Sequence, residues 1–226
     1  MKAFKILALL ISFQIVSAQE EQLTKELREF TEVKGFDGLS INLIKSNENK
    51  AVIKGANTGK VAIVNNNGVL KLRMEIDKIF SGYRTHVDLY FAQTLKVIDV
   101  NEDARIRSTE IFEQDVLDLR AQEGGELELK CQTEQLLIKA ITGGEIAVSG
   151  FSDNQDIIIN TGGSYDGKEF KTRFSTIVVN AGGDAKIYAT DYVKANVKAG
   201  GEVLVYGDPL KMDEKKVFGG KIIRMD

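Results

Sequence analysis

Gly143-Gly144-Glu145-Ile146-Ala147-Val148-Ser149, a glycine pair followed by alternating polar and apolar residues, is one member of a series. Paired glycines stand at 124–125, 143–144, 162–163, 182–183, 200–201 and 219–220, so the step from pair to pair hardly varies. The flanks repeat with them. ELELK follows from Glu126, EIAVS from Glu145, DAKIY from Asp184 and EVLVY from Glu202. Ahead of the pairs, apolar residues again fall on alternate positions: Leu117, Leu119 and Ala121, then Leu136, Ile138 and Ala140, then Val193, Ala195 and Val197. Period two on both sides predicts two short strands joined at the glycines.

A two-strand unit of this length has too little apolar surface to fold alone, so it must stack on its neighbours as one coil of a parallel solenoid. Equivalent residues then lie about 4.8 Å apart up the stack. Leu127, Ile146, Ala185, Val203 and Ile222 are expected in one interior column. The glycines form another at the bend, where positive φ and close backbone approach exclude a Cβ.

Outside the repeat, the segment from Met1 to Ala18 has the layout of a signal peptide. Lys2 and Lys5 open it, an apolar run reaches Val16, and Val16-Ser17-Ala18 offers small residues for cleavage before Gln19. That run is short for a bilayer-spanning helix, and no later stretch is long and apolar enough, so no membrane span is expected. Residues 19–34 are charged and read as a linker or short helix, leaving 35–226 as one β domain. Within it, 36–100 alternate less regularly. NNNG (65–68) suits a hairpin reversal between GKVAIV and VLKLRM, and VIDVNEDARIRS (97–108) reads as an early coil with Glu102-Asp103 where glycines would stand.

VKGFDGLSINL (33–43), the glycine-marked coils and GGEVLVYGDPLKMDEKKVFGGKI (200–222) together resemble the putative auto-transporter adhesin, head GIN domain family. The resemblance spans about 33–226, and its most specific piece is Tyr206-Gly207-Asp208-Pro209 followed by Gly219-Gly220. It implies an exported bacterial protein, often from the Bacteroidetes, folded as a β-solenoid, and it brings no catalytic residues. The expected fold is therefore all-β: a right-handed parallel β-solenoid of about 19-residue coils with a less regular N-terminal β portion. Residues 35–226 would be its head GIN-like domain.

Composition narrows the chemistry. Lys2 and Lys5 leave with the leader, so 28 of the 30 basic residues face 33 acids, a net charge of −5 that offers nucleic acid no electrostatic attraction. One cysteine (Cys131) permits no internal disulfide; with one histidine (His86), a zinc site of two or three His or Cys ligands cannot be assembled within one chain, and a Ser-His-Asp or Cys-His arrangement would have to use His86. His86 reads as a surface strand position and Cys131 as a small filler. No catalytic residue, metal ligand set or cofactor is assigned.

Two outward rows are candidates for binding. Glu126, Glu145, Asp184 and Glu202 all follow a glycine pair and should share one row, which makes them a candidate site for a divalent cation or simply a hydrated acidic stripe. Tyr188 and Tyr206 are equivalent in their repeats and should stack, with Tyr165, Phe170, Phe174 and Tyr192 adding aromatic surface nearby. For an enzyme, the carboxylates to consider are Asp153, Asp156 and Asp166, near Lys168 and Arg173. The reading that results is a non-catalytic binding or adhesion-like module of the envelope, in the periplasm or at the cell surface. Its partner would be an envelope protein or glycan. The alternatives are a carbohydrate-active enzyme, or a structural protein that self-associates into a homo-oligomer through the terminal coil.

Overall fold

A computed structural model describes residues 22–79 and 81–225; the expected signal peptide over 1–18 lies outside the described residues. Eight short strands precede the regular repeat: β1 (Leu23–Glu26), β2 (Glu32–Gly35), β3 (Ser40–Lys45), β4 (Lys50–Gly55), β5 (Val61–Asn66), β6 (Val69–Met74), β7 (Thr85–Phe91) and β8 (Val97–Val100). Five long strands follow, β9 (Arg105–Gln122), β10 (Glu126–Ile141), β11 (Glu145–Asn160), β12 (Ser164–Asn180) and β13 (Asp184–Lys198). Three short ones close the chain, β14 (Glu202–Tyr206), β15 (Lys211–Val217) and β16 (Lys221–Arg224). β9 to β13 pair in parallel with their neighbours, and the whole is a β-solenoid of about seven turns with coils of about 19 residues.

The predicted interior column is present. Leu127, Ile146, Ala185, Val203 and Ile222 lie in register, with Tyr165 between Ile146 and Ala185, and none is more than 9% exposed. Each large apolar member contributes about 1.5–3 kcal/mol by leaving water.

The expectation of two short strands per coil needs correcting. Each regular coil is one long strand bent at mid-length. In β10, Leu127, Leu129, Cys131 and Thr133 are buried, then Leu136, Ile138 and Ala140, and the phase flips at the adjacent Glu134 and Gln135, neither of them buried. Two neighbouring side chains that both point outward mark a corner. Each coil thus has two arms, and the glycines join the second arm of one coil to the first arm of the next.

The two glycines of a pair serve different needs. Thr142 (φ 50°) and Gly143 (φ 74°) both occupy the left-handed region, as a primed two-residue turn requires. Gly144 has ordinary φ, but a Cβ there would stand 2.2 Å from the carbonyl oxygen of Ala121 in the coil below. One glycine makes the turn and the next lets the coils touch.

The N-terminal coils are stacked out of sequence order. In one arm the order is β5, β6, β2, β8, β9, and in the other β1, β4, β7, β3, β9. The coil formed by β2 and β3 therefore sits between the β6–β7 coil and the β8–β9 coil, although it comes first in the chain. β5 and β6 are antiparallel across NNNG, as expected for a hairpin. Glu102 (φ 52°) and Asp103 (φ 56°) take the left-handed turn that Glu123–Gly124 and Thr142–Gly143 take later, so Asp103 stands at the first glycine position and Ala104, not Asp103, at the second.

Residues 22–34 are not a linker or helix. β1 pairs antiparallel with β4, and β2 is flanked by β6 and β8 with Phe30 and Val33 fully buried. Of the charges that suggest a linker, Glu26, Glu32 and Lys34 occupy the outward positions of strands, and Lys25, on the half-buried side of β1, donates to the Val61 carbonyl at 3.0 Å.

Behind the early turn lies a carboxyl pair. Asp37 is fully buried; its Oδ2 accepts the Met74 N–H at 3.0 Å and faces Arg73 Nε at 3.7 Å. Burial, then the hydrogen bond and charge of Asp37, hold the Glu102 carboxyl above its usual pKa, with Arg73 opposing. A raised folded-state value favours the neutral form, so the contribution to stability is complete below the unfolded carboxyl value of about 4.3 and lost as pH rises through the folded one. Glu102→Gln is expected to raise Tm at neutral pH by about 2–4 °C and to leave it unchanged well below that carboxyl range. Melts across the acidic to neutral range check this, and a difference that shrinks as pH rises contradicts it.

At the far end, among the described residues, β15 pairs only with β13 and β16 only with β14. The residues of β15 in register with the buried Val193, Ala195 and Val197 are Met212, Glu214 and Lys216. Lys216 Nζ lies 3.5 Å from Glu214 Oε2. Two interior columns thus finish in a pair of opposite charges, one of the devices that keep an exposed strand edge from pairing with another chain.

Candidate binding surface

Tyr188 and Tyr206 face outward on the first arm of successive coils and are in direct register, both half-buried. The groove they line encloses about 640 Å³, with Lys168, Lys171 and Arg224 around it and Asp208 at its edge. Lys168 Nζ sits over the Tyr206 ring, 5.1 Å from its centroid. Arg224 donates to Asp208 Oδ1 and, at 2.8 Å, to the Pro209 carbonyl, which fixes the loop after β14. Gly207 (φ 89°) lets the chain pass over its neighbour: a Cβ there would lie 2.6 Å from Tyr188 Cε1 and 2.6 Å from the Ala189 carbonyl oxygen.

The tyrosine corner is held from inside by polar groups. Tyr165 OH donates to Gln155 Oε1 at 3.0 Å, and Gln155 Nε2 donates to Thr172 Oγ1 at 3.1 Å and to the Tyr188 carbonyl at 3.3 Å. Thr172 Oγ1 also donates to that carbonyl, at 2.6 Å. Satisfied buried networks of this kind are rigid, because any partner lost leaves a costly unpaired group.

Tyr165 and Phe170 are therefore not surface residues, being 1% and 0% exposed. Tyr165 fills the interior column, where burial pushes its phenol well above the ordinary tyrosine value. Phe170 turns inward because the pairing of β12 is irregular between Asp166 and Lys171 on both sides of that stretch, which shifts the alternation. Phe174 and Tyr192 are in register with each other in the second arm, away from the groove; Tyr192 OH donates to Asp213 Oδ2 at 2.6 Å.

The acidic row exists, but divided. Glu126 pairs with Glu145, Ser164 interrupts, and Asp184 pairs with Glu202. Arg105 closes one end with Nε 2.9 Å from Glu126 Oε2, and Lys221 the other with Nζ 3.5 Å from Glu202 Oε2. Among the described residues no group of three or more His, Cys, Asp or Glu is arranged to hold a metal ion. The row is better described as a hydrated stripe with basic ends than as a cation site.

The carboxylates considered for glycoside hydrolysis do not converge. Asp166 lies on the outer face of the first arm, where Lys186 Nζ reaches it at 2.7 Å. Asp156 lies on the outer face of the second arm and accepts from Gln135 Nε2 at 2.9 Å, while Asp153 is exposed at the corner between. His86 is an exposed strand residue and Cys131 is fully buried, its thiol pushed up to about 12 by loss of solvent.

The family profile described as putative auto-transporter adhesin, head GIN domain matches residues 29–209. The chain belongs to this family. Solved structures share the head GIN architecture at low identity. A putative adhesin from Bacteroides fragilis superposes with a TM-score of 0.80 at 16% identity, over 92% of this chain and 98% of that one. A putative adhesin from Parabacteroides distasonis gives 0.73 at 15%, over 92% and 98%. A putative lipid binding protein from the same species gives 0.67 at 14%, over 93% and 98%. These likenesses establish the fold of the head GIN chain. No curated protein is significantly similar to it.

Two residues of this head GIN surface escape a reading of the sequence. Gln132 pairs with Phe151, Phe151 with Lys171, and Lys171 with Tyr188, so the row that ends at Tyr206 begins further down the stack. Phe151 is 53% exposed. Counted from their glycine pairs, Phe151 and Lys171 fall at +7 and +8 while the tyrosines fall at +5, so no fixed offset aligns them.

Proposed function

We propose that this head GIN protein is an exported, non-catalytic binding module that presents the Tyr188–Tyr206 groove to an envelope glycan or protein, in the periplasm or at the cell surface. The observation that carries the reading is the in-register, half-exposed tyrosine pair above a satisfied buried network. A surface of this kind binds without first having to be ordered, which saves the cost that flexible loops incur on association. The leader over 1–18 supports export, and no helix among the described residues is long and apolar enough to cross a membrane. The separation of Asp156 from Asp166 and the protonated, buried Cys131 thiol support binding without catalysis.

The test is capture of envelope proteins and glycans by the mature chain, compared with a Tyr188→Ala, Tyr206→Ala double variant. Loss of two aromatic faces at the centre of a contact is expected to weaken the captured ligand by at least tenfold. Equal capture by both forms would move the binding surface elsewhere.

A further inference from the structure

The groove is one end of a longer track. Phe151, Lys171, Tyr188 and Tyr206 occupy the same outward row on four successive coils. Parallel rungs are about 4.8 Å apart, so the row runs roughly 14 Å along the solenoid axis. Two properties of it point to one kind of ligand. Tyr188 and Tyr206 are one rung apart and Phe151 lies two rungs below Tyr188, with Lys171 between. A rung is close to the advance of one hexose ring in an extended polysaccharide, so sugar rings lying along the axis can meet the aromatic rungs. The cations beside those faces carry little competing charge: Lys168 and Lys171 form no ion pair among the described residues, whereas Asp208 is held by Arg224. Glu169, the remaining acid on the groove, also borders a hollow of about 240 Å³ with Glu128 and Lys130, and offers an acceptor for sugar hydroxyls.

We infer that the row binds an acidic polysaccharide of the uronate class, lying along the solenoid axis with its rings on Phe151, Tyr188 and Tyr206 and its carboxylates on Lys171 and Lys168. This rests on the Tyr188–Tyr206 groove being the binding surface and adds the chemistry of what it binds. The overall charge of the mature chain, −5, would otherwise repel such a polymer, so the local cations must supply the attraction. Its binding should therefore weaken steeply as salt is raised.

Calorimetric titration of the mature chain with oligogalacturonate at low and at physiological salt tests this, with neutral cello-oligosaccharides of the same length as the comparison. Oligogalacturonate is expected to bind the wild type, and Lys171→Met and Phe151→Ala are each expected to weaken it about tenfold while leaving the melting temperature in place. Lys194→Met, on the opposite face, should change nothing. Equal binding of neutral and acidic chains overturns the role of the cations and leaves the tyrosine groove standing. Failure of both glycans to bind, with an envelope protein captured in a Tyr188- and Tyr206-dependent way, overturns the glycan and not the surface. If that capture is also indifferent to the tyrosines, both readings fall.

Discussion

Gly144→Ala should destabilise the solenoid by about 3 kcal/mol, and Gly143→Ala, one residue earlier, by only about 1 kcal/mol. The contrast comes from what each new methyl meets. At Gly144 it would sit 2.2 Å from the Ala121 carbonyl oxygen and 2.3 Å from its carbon, both backbone atoms of the adjoining coil that cannot move without opening the ladder. At Gly143 the nearest atom is 4.0 Å away, so only the left-handed φ of 74° opposes a side chain. Gly144→Val should be worse still. Denaturant unfolding of the two alanine variants measures the difference, and equal losses would mean that the coils do not approach each other as closely as described.

The second large effect concerns the end of the stack. Replacing Glu214 and Lys216 together by valine extends the columns of Ala195 and Val197 by one apolar step and removes the charges beneath the free edge of β15. Two such edges from separate molecules can pair about a twofold axis, since the same surface serves both partners. The wild type is expected to run as a monomer and the double variant to convert largely to dimers or higher species, as read by light scattering at matched concentration. A folded variant that stays monomeric would show that something other than these two charges protects the edge. For the wild type, self-association through the terminal coil is the outcome that this arrangement opposes.

Much of this architecture can be read from spacing alone. The even step between glycine pairs, the Leu127–Ile222 column, the acidic row and the Tyr188–Tyr206 contact all follow from period two between glycine marks, because parallel stacking converts equal offsets into neighbours. The reading fails where the offset is broken. Irregular pairing between Ala147 and Gly150, and again between Asp166 and Lys171, hides Phe151 and Lys171 from the outward row and makes the buried Phe170 read as aromatic surface nearby. Tyr165 stands at the same offset from its glycine pair as Leu127 and Ile146 and so belongs to the interior column by the same rule, with Gln155 in the adjoining arm accepting from its hydroxyl. The β2–β3 coil leaves no local trace of its place in the stack. Its partners β6 and β8 begin only at Val69 and Val97, and pairing across such a separation is not written in alternation. β1 resembles a linker for a related reason: a short edge strand in which two of four residues are charged has the composition of one.

The out-of-order N-terminal coil also bears on how such a protein can change length. Both ends of the stack are single-use constructions: one is threaded so that an early segment is clamped between later ones, the other is closed by Glu214 and Lys216. Only the coils between them enter and leave through the same glycine bend and stack in parallel on both neighbours. Duplication or loss of a whole coil is therefore tolerable there and nowhere else, and each added copy would extend the outward track by one side chain and about 4.8 Å.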